Sequence, residues 1–569
     1  MNKIPLFALA ISIFLYSKIF TKMPKDFVVA PKTSFQKEDS NLILQIEFDE
    51  KYKNGTIVIK KKPIFSERWE LLDTLLKGMT FFFDTLPINS LSEFGFHCSV
   101  DSLDSFGYFL IGEKSSVETY LGNVLIIVDS TIFDGIQPQL KEFVEDLENE
   151  GWFVELRKSP RAENFNPIEI RKVKRIVNSY KRNWKEKFKV LLLVGRVPVP
   201  YTGNYTFDGH SDHFGAFPSD LFYVIDDSLL TDEVEYNTTA ERQENWNLPF
   251  DGKFDQTTIP GKISCAVGRI DFSNLTAFKE SEVNLIRKYF EKNHNFRLGK
   301  NSNNNGIIDD GFGNQSPEMF SANAYMNFYA LADTIVEGKL FENISQRYFR
   351  YAYACNSGSY TSIWSSINSE QCASSNIQTT FLFLFGSYNW DWDTENNLLR
   401  SALASSPDVL ITAWIGRPFW HLHHFAFGFP FCFSFISTAN NHELYQSTGK
   451  YGYKGMHLEV MGDPTLRENY PEPVDVFRGE IDNNRIVKLI WGTPKDTNNL
   501  LGYQILKKEL GKTEFTPIAN ISKHSSSFTD TNTQKGIWIY QIKALYLRTN
   551  KFGSYLNPSI GQRIEIEIK

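Results

Sequence analysis

Cysteine is scarce in this chain. Five residues, Cys98, Cys265, Cys355, Cys372 and Cys432, are spread over 569 positions. So thin and odd a count excludes a disulfide scaffold, and with no C-x-x-C pair the usual structural zinc site is excluded too. Positive charge is not in excess either. A net charge of −7 argues against a nucleic-acid partner, which would need a basic patch. No G-x-G-x-x-G or G-x-x-x-x-G-K-[ST] follows any apolar run, so a nucleotide site has no support. The first apolar stretch, Ile4 to Tyr16, has thirteen residues and falls short of the ~20 that cross a bilayer.

That stretch follows Lys3 and ends at Ser17-Lys18, the layout of an export signal over residues 1–20. No A-x-A site follows it, which leaves an uncleaved N-terminal anchor as the other reading. The expected location is outside the cytoplasm: secreted, periplasmic or at the cell surface. A hydrophobic content of 42% supplies ample cores, and the length predicts three to four domains at ~150 residues each.

Four apolar runs end in small or polar turn residues: 263–270, 348–360, 381–393 and 409–418. Short runs without alternation predict strands buried on both faces of a parallel sheet. Upstream, Asn123–Asp129, Phe153–Leu156 and Val190–Val194 predict three further strands. Between them lie two amphipathic helices, one started by Pro138 and one capped by Asn166-Pro167. A further helix is expected over Lys279–Phe290. The spacing is that of a right-handed βαβαβ unit. Ligands of open α/β sheets bind beyond the carboxyl ends of the strands, so Cys355, Asn356, Tyr388, Asp391 and Arg417 are the side chains placed to line a site.

The two ends of the chain resemble each other. Ile57–Lys61, Trp69 and Asp84 correspond to Tyr503–Lys508, Phe515 and Asp530, with the aromatic and the aspartate fifteen residues apart in both. Short alternating strands between Gly, Asn and Ser turns predict antiparallel sandwiches. The string LIWGTP…LGYQILKK…FTD…IYQIKAL resembles a fibronectin type III domain over 471–569, and 24–118 resembles a diverged copy.

Between these ends, several fragments resemble the gingipain family of cysteine peptidases. They are Pro218-Ser219-Asp220-Leu221-Phe222-Tyr223, Ala266-Val267-Gly268-Arg269-Ile270 and Met461-Gly462-Asp463-Pro464-Thr465-Leu466. The resemblance covers 119–468. It implies a multi-domain chain whose central caspase-like α/β domain holds a mostly parallel sheet, flanked by fibronectin type III-like sandwiches. The family places a His in G-H-G at the end of one strand and a Cys in A-C-x-N-G at the end of the next. Counted after Val267–Ile270, those positions fall on Asn356-Ser357 and Gly386-Ser387, so both catalytic groups are missing.

A second register takes Cys355, in A-C-N-S-G-S-Y, as the nucleophile. A thiol with a pKa near ~8.5 needs an adjacent His to form a thiolate at neutral pH. No His lies between Asn295 and Tyr353, so the base would come from a distant loop, with His210, His213 or the 421–424 cluster as candidates. The expected function is thus an exported gingipain-like protein that has lost its dyad and acts as a binding or surface-architecture protein, with protein or peptide ligands as its candidate partners. An active cysteine endopeptidase using Cys355 is the alternative.

Three other groups invite chemistry. Asp208, His210, Asp212, His213 and Asp220 include carboxylates at alternating positions, which suit a hard cation. The family resemblance adds structural calcium to that reading, imidazoles would admit zinc, and a solvated polar turn explains the same residues. His421 and His423 would share one face of a strand, yet no third ligand is near them in sequence, and packing accounts for them equally. Asp391 and Asp393 could act as an acid–base pair if one pKa were raised, or could pair structurally with Arg417.

Overall fold

The computed structural model describes residues 22–100, 103–204, 213–300, 303–315, 318–417, 419–446 and 455–569. The expected export signal and Asp208, His210 and Asp212 lie outside the described residues. No described helix is long and apolar enough to cross a membrane.

Seven strands open the fold: β1 (Lys32–Glu38), β2 (Asn41–Glu47), β3 (Thr56–Pro63), β4 (Glu70–Leu75), β5 (Phe81–Pro87), β6 (Leu91–Val100) and β7 (Leu103–Lys114). They form a sheet β1-β2-β5 and a run β4-β3-β6-β7, all antiparallel. Alternation in sequence explains the layering. Leu42, Leu44 and Ile46 of β2, and Ile57 and Ile59 of β3, point inward while their neighbours face solvent.

The centre is a ten-stranded sheet. Its strands are β8 (Gly122–Asp129), β9 (Trp152–Ser159), β10 (Phe188–Val194), β11 (Ala266–Ile270), β12 (Gly306–Asp310), β13 (Ile335–Glu337), β14 (Phe349–Cys355), β15 (Thr379–Phe385), β16 (Ile411–Ile415) and β17 (Leu458–Gly462). In space they run β13-β12-β14-β15-β16-β17-β11-β10-β8-β9, parallel throughout except at β16·β17. All four apolar runs supply strands of this sheet. Every residue of β14 and β15 is buried, and each such Val, Leu, Ile or Phe contributes about 1.5–3 kcal/mol.

Helices cover the faces. The first, α1 (Phe133–Glu150), begins five residues before Pro138, which therefore sits inside the helix and does not start it. The missing N–H removes one bond near the first turn, a loss that burial of Ile136, Leu140, Phe143 and Leu147 outweighs. The second, α2 (Pro167–Trp184), is capped as expected, with the Asn166 side chain accepting from the amides of Ile168 and Glu169 at 3.1 and 3.2 Å. The third, α3 (Glu282–Arg297), runs further than the expected Lys279–Phe290 and is capped by Ser281.

The last strands are β18 (Phe477–Ile481), β19 (Val487–Trp491), β20 (Leu500–Glu509), β21 (Thr516–Ser522), β22 (Ser527–Asp530), β23 (Gly536–Asn550), β24 (Gly553–Pro558) and β25 (Gln562–Ile568). Their order, β18-β19-β22 against β21-β20-β23-β24, repeats that of the seven opening strands, and β25 is added beside β23. An ion pair recurs with it. Lys61 meets Asp84 at 2.8 Å and Lys507 meets Asp530 at 2.8 Å, each joining the third strand to the fifth of its sandwich. The two sandwiches differ in their cores. The second has its own, around Trp491, Tyr503 and Ile542, whereas the first is continuous with the α/β core. Parallel pairing of β24 with β7 joins both ends into one sheet.

Candidate functional site

β12, β14 and β15 end side by side, with Asp310 opposite Cys355 and Cys355 opposite Phe385. The chain leaves the sheet there because β14 and β15 exhaust their apolar runs. The Gly311 amide bonds to the Cys355 carbonyl at 2.8 Å, and the Asn356 amide to the Phe385 carbonyl at 3.2 Å. Cys355 is buried, and its Sγ–H donates to Asp310 Oδ1 at 3.3 Å. Burial pushes this thiol well above its ordinary pKa, and the Asp310 charge adds to the rise. Tyr353 and the Phe312 backbone also bond to the sulfur, so none of these partners is an imidazole. The carboxylate itself is held by Ser321 at 2.6 Å and by the Gly313 amide at 2.8 Å.

Asn356 spends its side chain locally, donating to the Trp364 carbonyl at 3.1 Å and accepting from the Ser357 amide at 2.8 Å. Gly386 has no room for a side chain. A Cβ there would stand 2.5 Å from Asn389 Oδ1 and 2.8 Å from Ile363. Ser387 follows, and its backbone lies so close to Gly358 that a Cβ on that glycine would meet it at 2.5 Å. Tyr388 takes a left-handed φ of 65° and packs its ring on His213, centroids 4.1 Å apart.

Beyond this turn lies a buried polar cluster. Asp391 accepts from Asn245 at 2.8 Å and pairs with Arg242 at 2.5 Å. Asp393 pairs with the same Arg242 nitrogen at 3.4 Å and accepts from the Tyr201 hydroxyl. Burial lifts Asp391 to about 6 despite Arg242, with Asp393 adding to the rise. Asp393 moves the other way, because Arg242 and Arg196 outweigh its own burial. One carboxyl therefore keeps its proton into mildly acidic pH while its neighbour is already ionised, an arrangement able to exchange protons with a bound group. Asp391 Oδ1 is buried without a hydrogen-bond partner.

The other sequence candidates are distributed differently. Asp220 gives both oxygens to Arg269, at 2.7 Å each. His213 is buried among the rings of Phe217, Tyr360, Tyr388 and Trp390. Arg417 does not meet Asp391 or Asp393. Its φ of 54° turns it to Glu318, at 3.1 Å, and Arg242 takes the expected pairing. Residues 421–424 are not a strand but the turn before a short 3-10 helix, Phe425–Phe427. Sequence reasoning missed Arg242, Asn245 and Tyr201, which stand on a two-residue strand and a single 3-10 turn, elements too short to show a periodicity.

No family profile matches the chain, and no curated protein is similar to it. Among solved structures it is similar to the Arg-specific cysteine proteinase gingipain R (RgpB), at 11% identity and a TM-score of 0.43, over 78% of this chain and 99% of that one. It is similar to the complex of Porphyromonas gingivalis RgpB pro- and mature domains at 12% identity, with a TM-score of 0.45 over 79% and 100%. A structure described as a protease matches at 10% identity and a TM-score of 0.44, over 80% and 99%.

Proposed function

We propose that this chain is an exported gingipain-like protein without cysteine peptidase chemistry, which binds protein or peptide ligands at the rim of its central sheet. The observation that carries the reading is the state of Cys355. A nucleophilic sulfur needs a base that takes its proton, and this one donates to a carboxylate that holds the proton on. The rim positions that correspond to the family's His and Cys hold Asn356-Ser357 and Gly386-Ser387, and the crowding at Gly386 fits a site rebuilt without a thiol.

Kinship with gingipains is supported by what their shared motifs do here. Asp220 of S-D-L-F-Y and Arg269 of V-G-R-I bind each other, and Asp463 of G-D-P-T receives Asn293 at 3.0 Å and Arg297 at 2.7 Å from α3. The matching strand order of the two end sandwiches supports reading both as fibronectin type III modules, which would space or dock the centre. The apolar segment after Lys3 supports export.

An electrophilic thiol-directed probe and a library of peptide substrates test the proposal on the full-length chain. The expected result is no labelling of Cys355 in the folded protein and no cleavage. Stoichiometric labelling of Cys355, with peptide cleavage that disappears in Cys355→Ala, would overturn it.

A further inference from the structure

The first sandwich and the α/β centre meet around a buried carboxylate. Glu93, on β6, is 1% exposed and sits against His423 and His424, each fully enclosed. Its Oε1 lies 2.8 Å from His424 Nε2, and its Oε2 lies 3.4 Å from His423 Nε2. The two imidazoles lie side by side, tilted by 38° with centroids 4.3 Å apart. Nδ1 of His423 and Nδ1 of His424 have no hydrogen-bond partner, and His423 Nε2 reaches only the Glu93 carboxylate, at 3.4 Å. Leaving a buried polar atom unpaired costs about 1–3 kcal/mol, so nitrogens left this way call for a ligand.

One ligand atom from each of Glu93, His423 and His424 can be chosen so that all three lie within 4.8 Å of one another. Metal–ligand bonds of ~2.0–2.2 Å in tetrahedral geometry set donor atoms roughly 3.4 Å apart. The carboxylate–imidazole distances of 2.8 and 3.4 Å lie near that spacing, and the three side chains need only draw in from the 4.8 Å limit. Two imidazole nitrogens and one carboxylate oxygen suit zinc-class ions, whereas calcium would require more oxygens. We propose that Glu93, His423 and His424 bind a divalent transition-metal ion of the zinc class, which fastens the first sandwich to the central sheet. The third ligand stands 331 residues from His424 in sequence, which is why the histidines look incomplete on their own.

Lys62 is the competing cation. Its buried Nζ pairs with Glu93 Oε2 and lies over the rings of Trp69 and Tyr445, at 5.1 and 5.5 Å. The Tyr445 hydroxyl, 2.8 Å from Oε2, and the Phe65 amide, 3.3 Å from Oε1, complete the carboxylate's partners. An incoming ion shares Glu93 with Lys62, and removing that ammonium should tighten binding. Phe65, about half exposed, stacks on His424 with centroids 4.8 Å apart and covers the approach.

The test uses the full-length chain stripped with a chelator, equilibrated with zinc ion and exchanged into metal-free buffer. Elemental analysis should find one zinc per chain in the native protein and in Lys62→Met, with tighter retention in the latter. His423→Gln/His424→Gln should lose it, as should Glu93→Gln, which keeps the volume of the site. Cobalt ion in place of zinc should give the visible absorption of a four-coordinate N/O site. A native chain that retains no zinc overturns the proposal. So does equal retention by both ligand variants, which would put the ion elsewhere, for instance on segment 208–213.

Discussion

Arg269 donates from Nε and from one terminal nitrogen to the two carboxylate oxygens of Asp220, each at 2.7 Å, with the guanidinium fully buried. This two-pronged bond ties the segment before β11 to the middle of the sheet. Replacing Arg269 with Met leaves an uncompensated carboxylate in the core. We expect a loss of about 3–5 kcal/mol in chemical denaturation. A loss below about 1 kcal/mol would mean that solvent reaches the pair.

The five cysteines are all buried and unbridged. Burial raises Cys98 to about 11 and Cys372 to about 12, and it raises Cys265, Cys355 and Cys432 as well. Since the thiolate is the reactive form, a pKa of about 11 cuts its fraction at neutral pH by about two orders of magnitude against an ordinary thiol. An aromatic disulfide reagent should therefore titrate essentially no thiol in the native chain and five after denaturation. Rapid native labelling of one site would identify a cysteine more open than the packing allows.

Asp391 makes the pH behaviour specific. Its carboxyl titrates at about 6 in the fold, against ~3.9 in an unfolded chain. Between those values the folded state holds a proton that the unfolded state has released. Stability tied to this group therefore falls as pH rises from about 4 to about 6, and the loss is complete above that window, at about 3 kcal/mol. Asp393, held low by Arg242 and Arg196, changes protonation only at more acidic pH. Denaturation of the native chain and of Asp391→Asn across this range should give a difference that grows in favour of the variant as pH rises. A constant difference would refute the assignment.

Restoring the family's residues should not restore chemistry. A Cβ at Gly386 collides with Asn389 and Ile363, so Gly386→Cys is expected to destabilise the chain by about 1–3 kcal/mol. The combined Asn356→His/Gly386→Cys variant should still fail to cleave peptides. Measurable turnover by that pair would mean the rim has kept a working geometry.

Much of the sheet was legible because buried parallel strands announce themselves as uninterrupted apolar runs, as in Phe349–Cys355 and Thr379–Phe385. The repeat between the ends was legible too, since Lys61, Trp69 and Asp84 recur as Lys507, Phe515 and Asp530. Hidden were the pairings that only folding creates. Arg242 reaches Asp391 across 149 residues of sequence, and nothing local marks either as the other's partner. Nothing in the sequence around Glu93 marks it out, although it points into a seam lined by histidines. Helix α1 began early because helix starts follow available burial as much as proline.

Gly553 pairs with Gly112, both with strongly positive φ, so near that a Cβ on Gly553 would come within 1.8 Å of the Gly112 carbonyl. The polypeptide is thereby buckled: its opening and closing modules clasp each other, and everything between them hangs in a closed loop. A protease that nicked an exposed turn of the centre would leave the fragments joined. A bulkier residue at Gly553 would push the two strands apart at that point.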